Sequence, residues 1–275
     1  MARRHQVVTR VRVASLAALF VVVVANNLSA QDATELRPEV PRVTTLVLDY
    51  SRVSFQQDLD PWNFASVALS RRTGLGSLIG RVNYANRFGS SGSQVEVDAY
   101  PRLTRSTYAY LSVGYSLSGI FPEWRSGGEL FTSLPQAWEA SLGYRQLRFG
   151  GAPVTLFTGA AGKYAGDYWF SVRPYLRFTD NGTSASASLT SRRYFADGDH
   201  YVGGRIAYGG TPPDQVAPDQ AALGRAQSFS ASAQGSGGLF ASVLGTWSLG
   251  YEREELALSR IRRSWTAATG LRIPF

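Results

Sequence analysis

The sequence predicts an all-β fold: a transmembrane, antiparallel, up-and-down β-barrel of about fourteen strands, twelve if a weak pair merges, after a cleaved signal peptide. Three observations predict it. From Thr44 onward, segments of eight to twelve residues alternate apolar with polar and are separated by short turns of Gly, Ser, Asn, Asp or Pro. The chain ends in "GLRIPF", where Leu271, Ile273 and Phe275 stand at two-residue steps and so share one strand face. Beyond the leader, no apolar run is long enough to cross a bilayer as a helix.

The first thirty residues read as an export signal. Arg3, Arg4, Arg10 and Arg12 form the positive region, Val13 to Ala25 is uncharged and apolar, and Leu28-Ser29-Ala30 offers a small-residue cleavage site. An N-terminal membrane anchor is the competing reading, and the shortness of the run weighs against it. Residues 31–43 are then a periplasmic N-terminal segment and 44–275 the barrel. Removing the leader takes four arginines and no acid, so the formal charge falls from +8 to +4. Apart from Lys163 the remaining positive charges are arginines that alternate with apolar residues, which argues against the continuous basic face that nucleic acid requires. The absence of cysteine excludes a lipoprotein anchor, a disulfide framework and thiolate metal sites.

Strands are predicted near 44–52, 62–71, 76–88, 93–102, 107–117, 126–133, 138–149, 154–164, 168–179, 184–194, 200–208, 226–234, 239–253 and 263–275. In "SQVEVDAY", Gln94, Glu96 and Asp98 oppose Val95, Val97 and Ala99. In "WEASLGYR", Trp138, Ala140, Leu142 and Tyr144 oppose Glu139, Ser141, Gly143 and Arg145. Trp265, Ala267, Thr269, Leu271, Ile273 and Phe275 make a stripe closed by aromatics, the signature of a lipid-facing band with interfacial girdles. A soluble sandwich would also alternate, but only a closed barrel gives the opposite, charged faces a wet interior and leaves no open edge. Long connections such as "VSFQQDLDP", "SGIFPEWR" and "GGTPPDQVAPDQAALG" fall at odd positions. Short ones such as "TGLG", "LPQA" and "GSGG" fall at even positions, as outside loops and periplasmic turns do. The terminal stripe Leu271, Ile273 and Phe275 is similar to the C-terminal sorting signal of outer-membrane barrels, with Pro274 a departure from its commonest form. The expected location is the bacterial outer membrane.

"GRVNYANRFGSSGSQVEVDAYPR" (Gly80 to Arg102), "FPEWRSGGELFTSLPQAWEASLGYR" (Phe121 to Arg145), "DYWFSVRPYLRF" (Asp167 to Phe178) and "SRRYF" (Ser191 to Phe195) resemble the YaiO-type outer-membrane β-barrel family. The likeness runs from about Tyr50 to Phe275. It implies one barrel in the outer membrane of a Gram-negative-type bacterium and a link, in some members, to polysaccharide synthesis. It implies no catalytic residues.

Strand alternation places Arg81, Asn83, Arg87, Gln94, Glu96, Asp98, Tyr108, Tyr110, Glu129, Glu139, Arg145, Arg173, Tyr175 and Arg177 on the lumen side. A "GSSG" hairpin loop, Gly89 to Gly92, would pair Phe88 with Ser93, Arg87 with Gln94, Ala85 with Glu96 and Asn83 with Asp98. Arg81 and Arg87 would then reach diagonal carboxylates such as Glu96, either as a strut of paired charges or as a constriction that touches sugars. Tyr84, Tyr115 and Tyr144 fall on apolar faces as interface aromatics. Tyr108, Tyr110 and Tyr175 fall on polar faces, where they fill the lumen or stack on a sugar ring.

Little chemistry beyond this is encoded. His200, the only histidine after the leader, sits beside Asp197 and Asp199 in a turn, and a catalytic role for it is set against that of a solvated turn residue. Glu96, Asp98, Glu129 and Glu139 could gather as a carboxylate site, and Asp58 and Asp60 could meet calcium, but no EF-hand, Walker or dinucleotide pattern is present. No cofactor is expected. The expected function is a non-enzymatic structural or passive pore-forming barrel, linked to polysaccharide export or surface attachment. The alternatives are an envelope lipid- or glycan-modifying enzyme, and an adhesin or receptor that uses the long loops. Expected partners are outer-membrane lipids and lipopolysaccharide, the barrel-assembly machinery with periplasmic chaperones, and a polysaccharide.

Overall fold

The computed structural model describes residues 43–275 except 57–58, 88, 151–152, 180–181, 196, 211–226, 241 and 257–259. The predicted leader and the segment up to residue 42, Asp58 of the suggested calcium pair and most of the 209–225 loop lie outside the described residues. Fourteen strands follow one another: β1 Thr44–Phe55, β2 Trp62–Thr73, β3 Gly76–Arg87, β4 Ser90–Pro101, β5 Thr107–Tyr115, β6 Trp124–Leu134 and β7 Trp138–Arg148. Then come β8 Val154–Ala165, β9 Tyr168–Thr179, β10 Gly182–Phe195, β11 Asp197–Gly210, β12 Gln227–Phe240, β13 Val243–Glu255 and β14 Ile261–Pro274. Each pairs antiparallel with its chain neighbours, and β14 pairs with β1 from Thr45↔Pro274 to Phe55↔Ser264, so the sheet closes and no edge remains. The Phe275 amide donates to the Thr44 carbonyl at 2.8 Å and completes the seam.

The faces are the predicted ones. Val67, Leu69, Val82, Val95, Val97, Val113 and Leu142 point outward and exposed, with Trp124, Trp265, Tyr115 and Tyr144 toward one end and Trp138, Trp247, Tyr168 and Phe170 toward the other. Leu142, on the outer face of β7, is 74% exposed, a level that makes sense only against lipid. The side chains buried to the same degree as a soluble core are instead Gln94, Glu96, Asp98, Glu129 and many serines, all on the inner face. Two small apolar clusters are buried inside at opposite ends: Leu147, Leu156 and Tyr175 on β7 to β9, and Val47, Ala68 and Ile79 on β1 to β3. Among the described residues no helix is long and apolar enough to cross a membrane; strands make the crossing.

Two predicted turns are corrected. "GSSG" is not the β3–β4 loop: Arg87 already pairs with Ser90, Gly89 before it stands at φ +69°, and Ser90 to Gly92 belong to β4. The register is Arg87↔Ser90, Asn83↔Gln94 and Arg81↔Glu96, four residues from the expected one, so Arg81 lies directly across from Glu96. Serine and glycine on both faces of this segment left the register to be set by the turn. "GSGG" likewise lies within β12, whose glycines leave room for large side chains: a Cβ on Gly235 would lie 2.6 Å from Trp247 Nε1 across the ladder. Pro174 sits inside β9, where it cannot donate to a ladder; pairing with β8 is interrupted between Thr158↔Tyr175 and Ala161↔Val172, and the Thr158 hydroxyl donates to the Pro174 carbonyl at 3.1 Å.

Candidate functional site: the lumen

Residues from all fourteen strands line one interior cavity of ≈ 490 Å³. Its wall extends from Phe55, Trp62 and Arg262 near the end that carries the longer connections to Tyr100, Tyr194 and Tyr201 near the end with the short turns and the two barrel termini. The short turns identify that second end as periplasmic. Of the residues assigned to the lumen from sequence, Arg81, Asn83, Arg87, Gln94, Glu96, Asp98 and Tyr108 line the cavity. So do Tyr110, Glu129, Glu139, Arg145, Arg173 and Tyr175; Arg177, on the same face of β9, lies beyond it. Tyr84, Tyr115 and Tyr144 stand exposed on the outer face.

The ion pairs differ in reach from the expected ladder. Arg81 Nη1 lies 3.1 Å from Glu96 and 3.2 Å from Asp98, whose other partner is the Tyr110 hydroxyl at 3.2 Å. Glu96 also takes Arg125 at 2.5 Å, across the intervening strand β5. The crossing is possible because β5 carries Gly114 there: a Cβ on it would lie 2.7 Å from Arg125 Cγ. Glu129 on β6 takes Arg173 on β9 at 2.6 Å over Gly143, where a Cβ would lie 2.6 Å from that of Glu129. Glycines on the inner face therefore let charge pairs span one or two strands, which spacing along a single hairpin cannot reveal. A third pair, Glu254 with Arg262 at 2.5 Å, stands near the outer end, where Arg262 also lies over the rings of Phe55 and Trp62. Arg87 does not reach Glu96. It donates to the Ile120 carbonyl and lies 5.9 Å from the Phe121 ring, and Gln94 donates to the Pro122 carbonyl at 3.3 Å, so the 116–123 loop is drawn down into the cavity mouth.

Toward the periplasmic end the inner face becomes aromatic. Tyr100 packs on Tyr110 at 5.1 Å, Tyr108 stacks on Phe131 at 4.7 Å, Tyr164 meets Trp169 at 6.3 Å, and Tyr194 meets Tyr201 at 5.8 Å. The pairs Tyr108↔Phe131, Tyr164↔Trp169 and Tyr194↔Tyr201 are also direct cross-strand partners. Arg192, opposite Trp169, lies over its ring at 5.5 Å and over Tyr201 at 4.6 Å. From β4 to β11 every strand but β7 gives this arc an aromatic ring, and β7 gives it Glu139. Sequence reading found Tyr108 and Tyr110 and missed the rest. The signal was an inward-parity aromatic near the periplasmic end of successive strands, visible only once all are aligned. The remaining wall, β12 to β14 with β1 and β2, carries the small hydroxylated Ser66, Ser230, Ser232, Ser248 and Thr266 beside the amide of Gln234.

His200 does not join this site. Its Nδ1 lies 2.8 Å from Asp197 on the exposed periplasmic rim. Among the described residues no group of three His, Cys, Asp or Glu side chains is placed to hold a metal ion.

Known proteins fit this geometry. Among solved structures, a bacterial polysaccharide outer membrane secretin aligns over 86% of this chain and 100% of its own, with 9% identity and a TM-score of 0.57. The COG4313 outer membrane channel of Pseudomonas putida F1 aligns over 88% and 100%, with 13% identity and a TM-score of 0.51. At these identities the likeness shows the fold. No curated protein sequence matches this chain. The profile of the YaiO membrane beta barrel domain matches residues 43–214. With more than half of its length matched and a closed barrel that presents apolar side chains outward, the chain belongs to the YaiO family of bacterial outer-membrane β-barrels.

Proposed function

We propose that the barrel is a passive, non-catalytic pathway for hydrophilic solutes across the outer membrane, with segments of polysaccharide as the cargo its wall fits. The observation that carries this reading is the cavity itself, lined from every strand and from near both rims by hydroxyls, paired charges and aromatic rings. Most of the cavity's carboxylates are held by arginines on adjacent or nearby strands, an arrangement suited to a rigid polar wall. The stripe Leu271, Ile273 and Phe275 faces outward at the closing seam, in the position from which the barrel-assembly machinery would read it.

Single-channel recording of the purified protein in a planar bilayer tests the reading. Discrete ohmic steps are expected, enlarged when the 116–123 loop is released by Arg87→Ala. Folded, inserted protein that carries no current in either form would overturn it.

A further inference from the structure

We infer that the aromatic arc inside the periplasmic mouth is a binding site for neutral pyranose units, centred on Glu139 and Trp169. The inference rests on the passage reading for how a glycan reaches the site, but its chemistry stands on separate observations. Glu139 is 8% exposed, yet unlike Glu96, Glu129 and Glu254 it has no arginine at ion-pair distance among the described residues. The neighbouring Trp169 Nε1 is buried without a hydrogen-bond acceptor among the described residues. Both project over Gly162, where a Cβ would lie 3.1 Å from Trp169 Nε1 and 3.5 Å from Glu139 Oε1. A carboxylate acceptor and an indole donor thus converge on a gap that a side chain would fill, beside the rings of Tyr108, Phe131 and Tyr164.

That combination matches a hexopyranose. Its flat C–H faces pack on aromatic rings, and its rim of hydroxyls offers donors to a carboxylate and acceptors to an N–H. Trp138, Trp247 and Trp265 are exposed on the outer face instead. A uronate at the same place would set its own carboxylate against Glu139, so neutral sugars are preferred. The arc also spans eight adjacent strands, giving a chain of sugars successive rings on which to shift.

Isothermal titration of the detergent-solubilised protein with maltohexaose, isomaltohexaose and chitohexaose tests this directly. At least one should bind saturably, and Trp169→Ala or Tyr108→Ala should weaken it by about tenfold or more. Trp169→Phe, which keeps a ring, should retain most of the affinity. Gly162→Ala, which fills the gap without removing either group, should lower it, and Trp265→Ala on the outer girdle should change nothing. Folded barrel is verified for every variant by its heat-modifiable migration. Binding by none of the three sugars, or binding indifferent to Trp169, Tyr108 and Gly162, would overturn the inference, as would a galacturonate hexamer that binds equally well. Sugar binding without conductance would remove the passage reading and leave the site; conductance without sugar binding would do the reverse.

Discussion

Glu96 holds two arginines of the lumen, since it faces Arg81 directly and draws Arg125 over Gly114. Glu96→Gln leaves Arg125 without this carboxylate, whereas Arg81 keeps Asp98. The expected cost is about 1–3 kcal/mol, less than for a dry interior because Arg125 retains some contact with water. Urea unfolding from lipid vesicles measures it, with Glu255→Gln at the exposed Arg253 pair as the comparison expected to change stability by less than about 0.5 kcal/mol. The identity and facing of these charged residues were legible from period-two alternation. Their partners were not, because an ion pair that crosses an intervening strand depends on a glycine in that strand, and glycines read first as turns.

At the level of the element, strand existence and facing were readable throughout, while hairpin register failed where it lacked an apolar side to fix it. The β3–β4 hairpin shows why: "SSGS" has no side that must be buried, so the positive φ of Gly89 chose the reversal point. Strand β12 shows the same in another form, with its Gly235 serving as floor for Trp247, while its own Leu239 lies over Gly245 of β13. Strand β14 was read correctly because every second residue from Trp265 to Phe275 had to face lipid. Its last residue separates two roles. Phe275 is 75% exposed, so Phe275→Ala should leave the stability of the refolded barrel within about 0.5 kcal/mol. Recognition by the assembly machinery predicts instead a loss of outer-membrane yield in cells, read by fractionation, with in vitro refolding intact. An equal defect in both assays would assign Phe275 a packing role.

Across the whole molecule, closure converts a list of amphipathic strands into an inside and an outside, and this much was implied by charged faces that had nowhere else to go. The aromatic arc was not implied, since its members come from eight strands and meet only through registers that the chain does not spell out locally. Among the described residues the cavity wall holds nine arginines, Arg81, Arg87, Arg125, Arg145, Arg173, Arg192, Arg205, Arg262 and Arg272, against seven carboxylates. A weak preference for anions follows, measurable as a reversal potential of chloride sign in a potassium chloride gradient. Cation preference would show that the lining charges do not govern permeation.

The hydrogen bond from Phe275 to Thr44 brings the two extremities of the barrel within touching distance. Geometrically the cylinder is a ring without a privileged starting strand, so a cyclised polypeptide reopened at another connection would describe the same wall. The order in which the ribosome delivers the strands therefore matters to export and to insertion, and the finished barrel keeps no trace of it beyond one nick in its circumference.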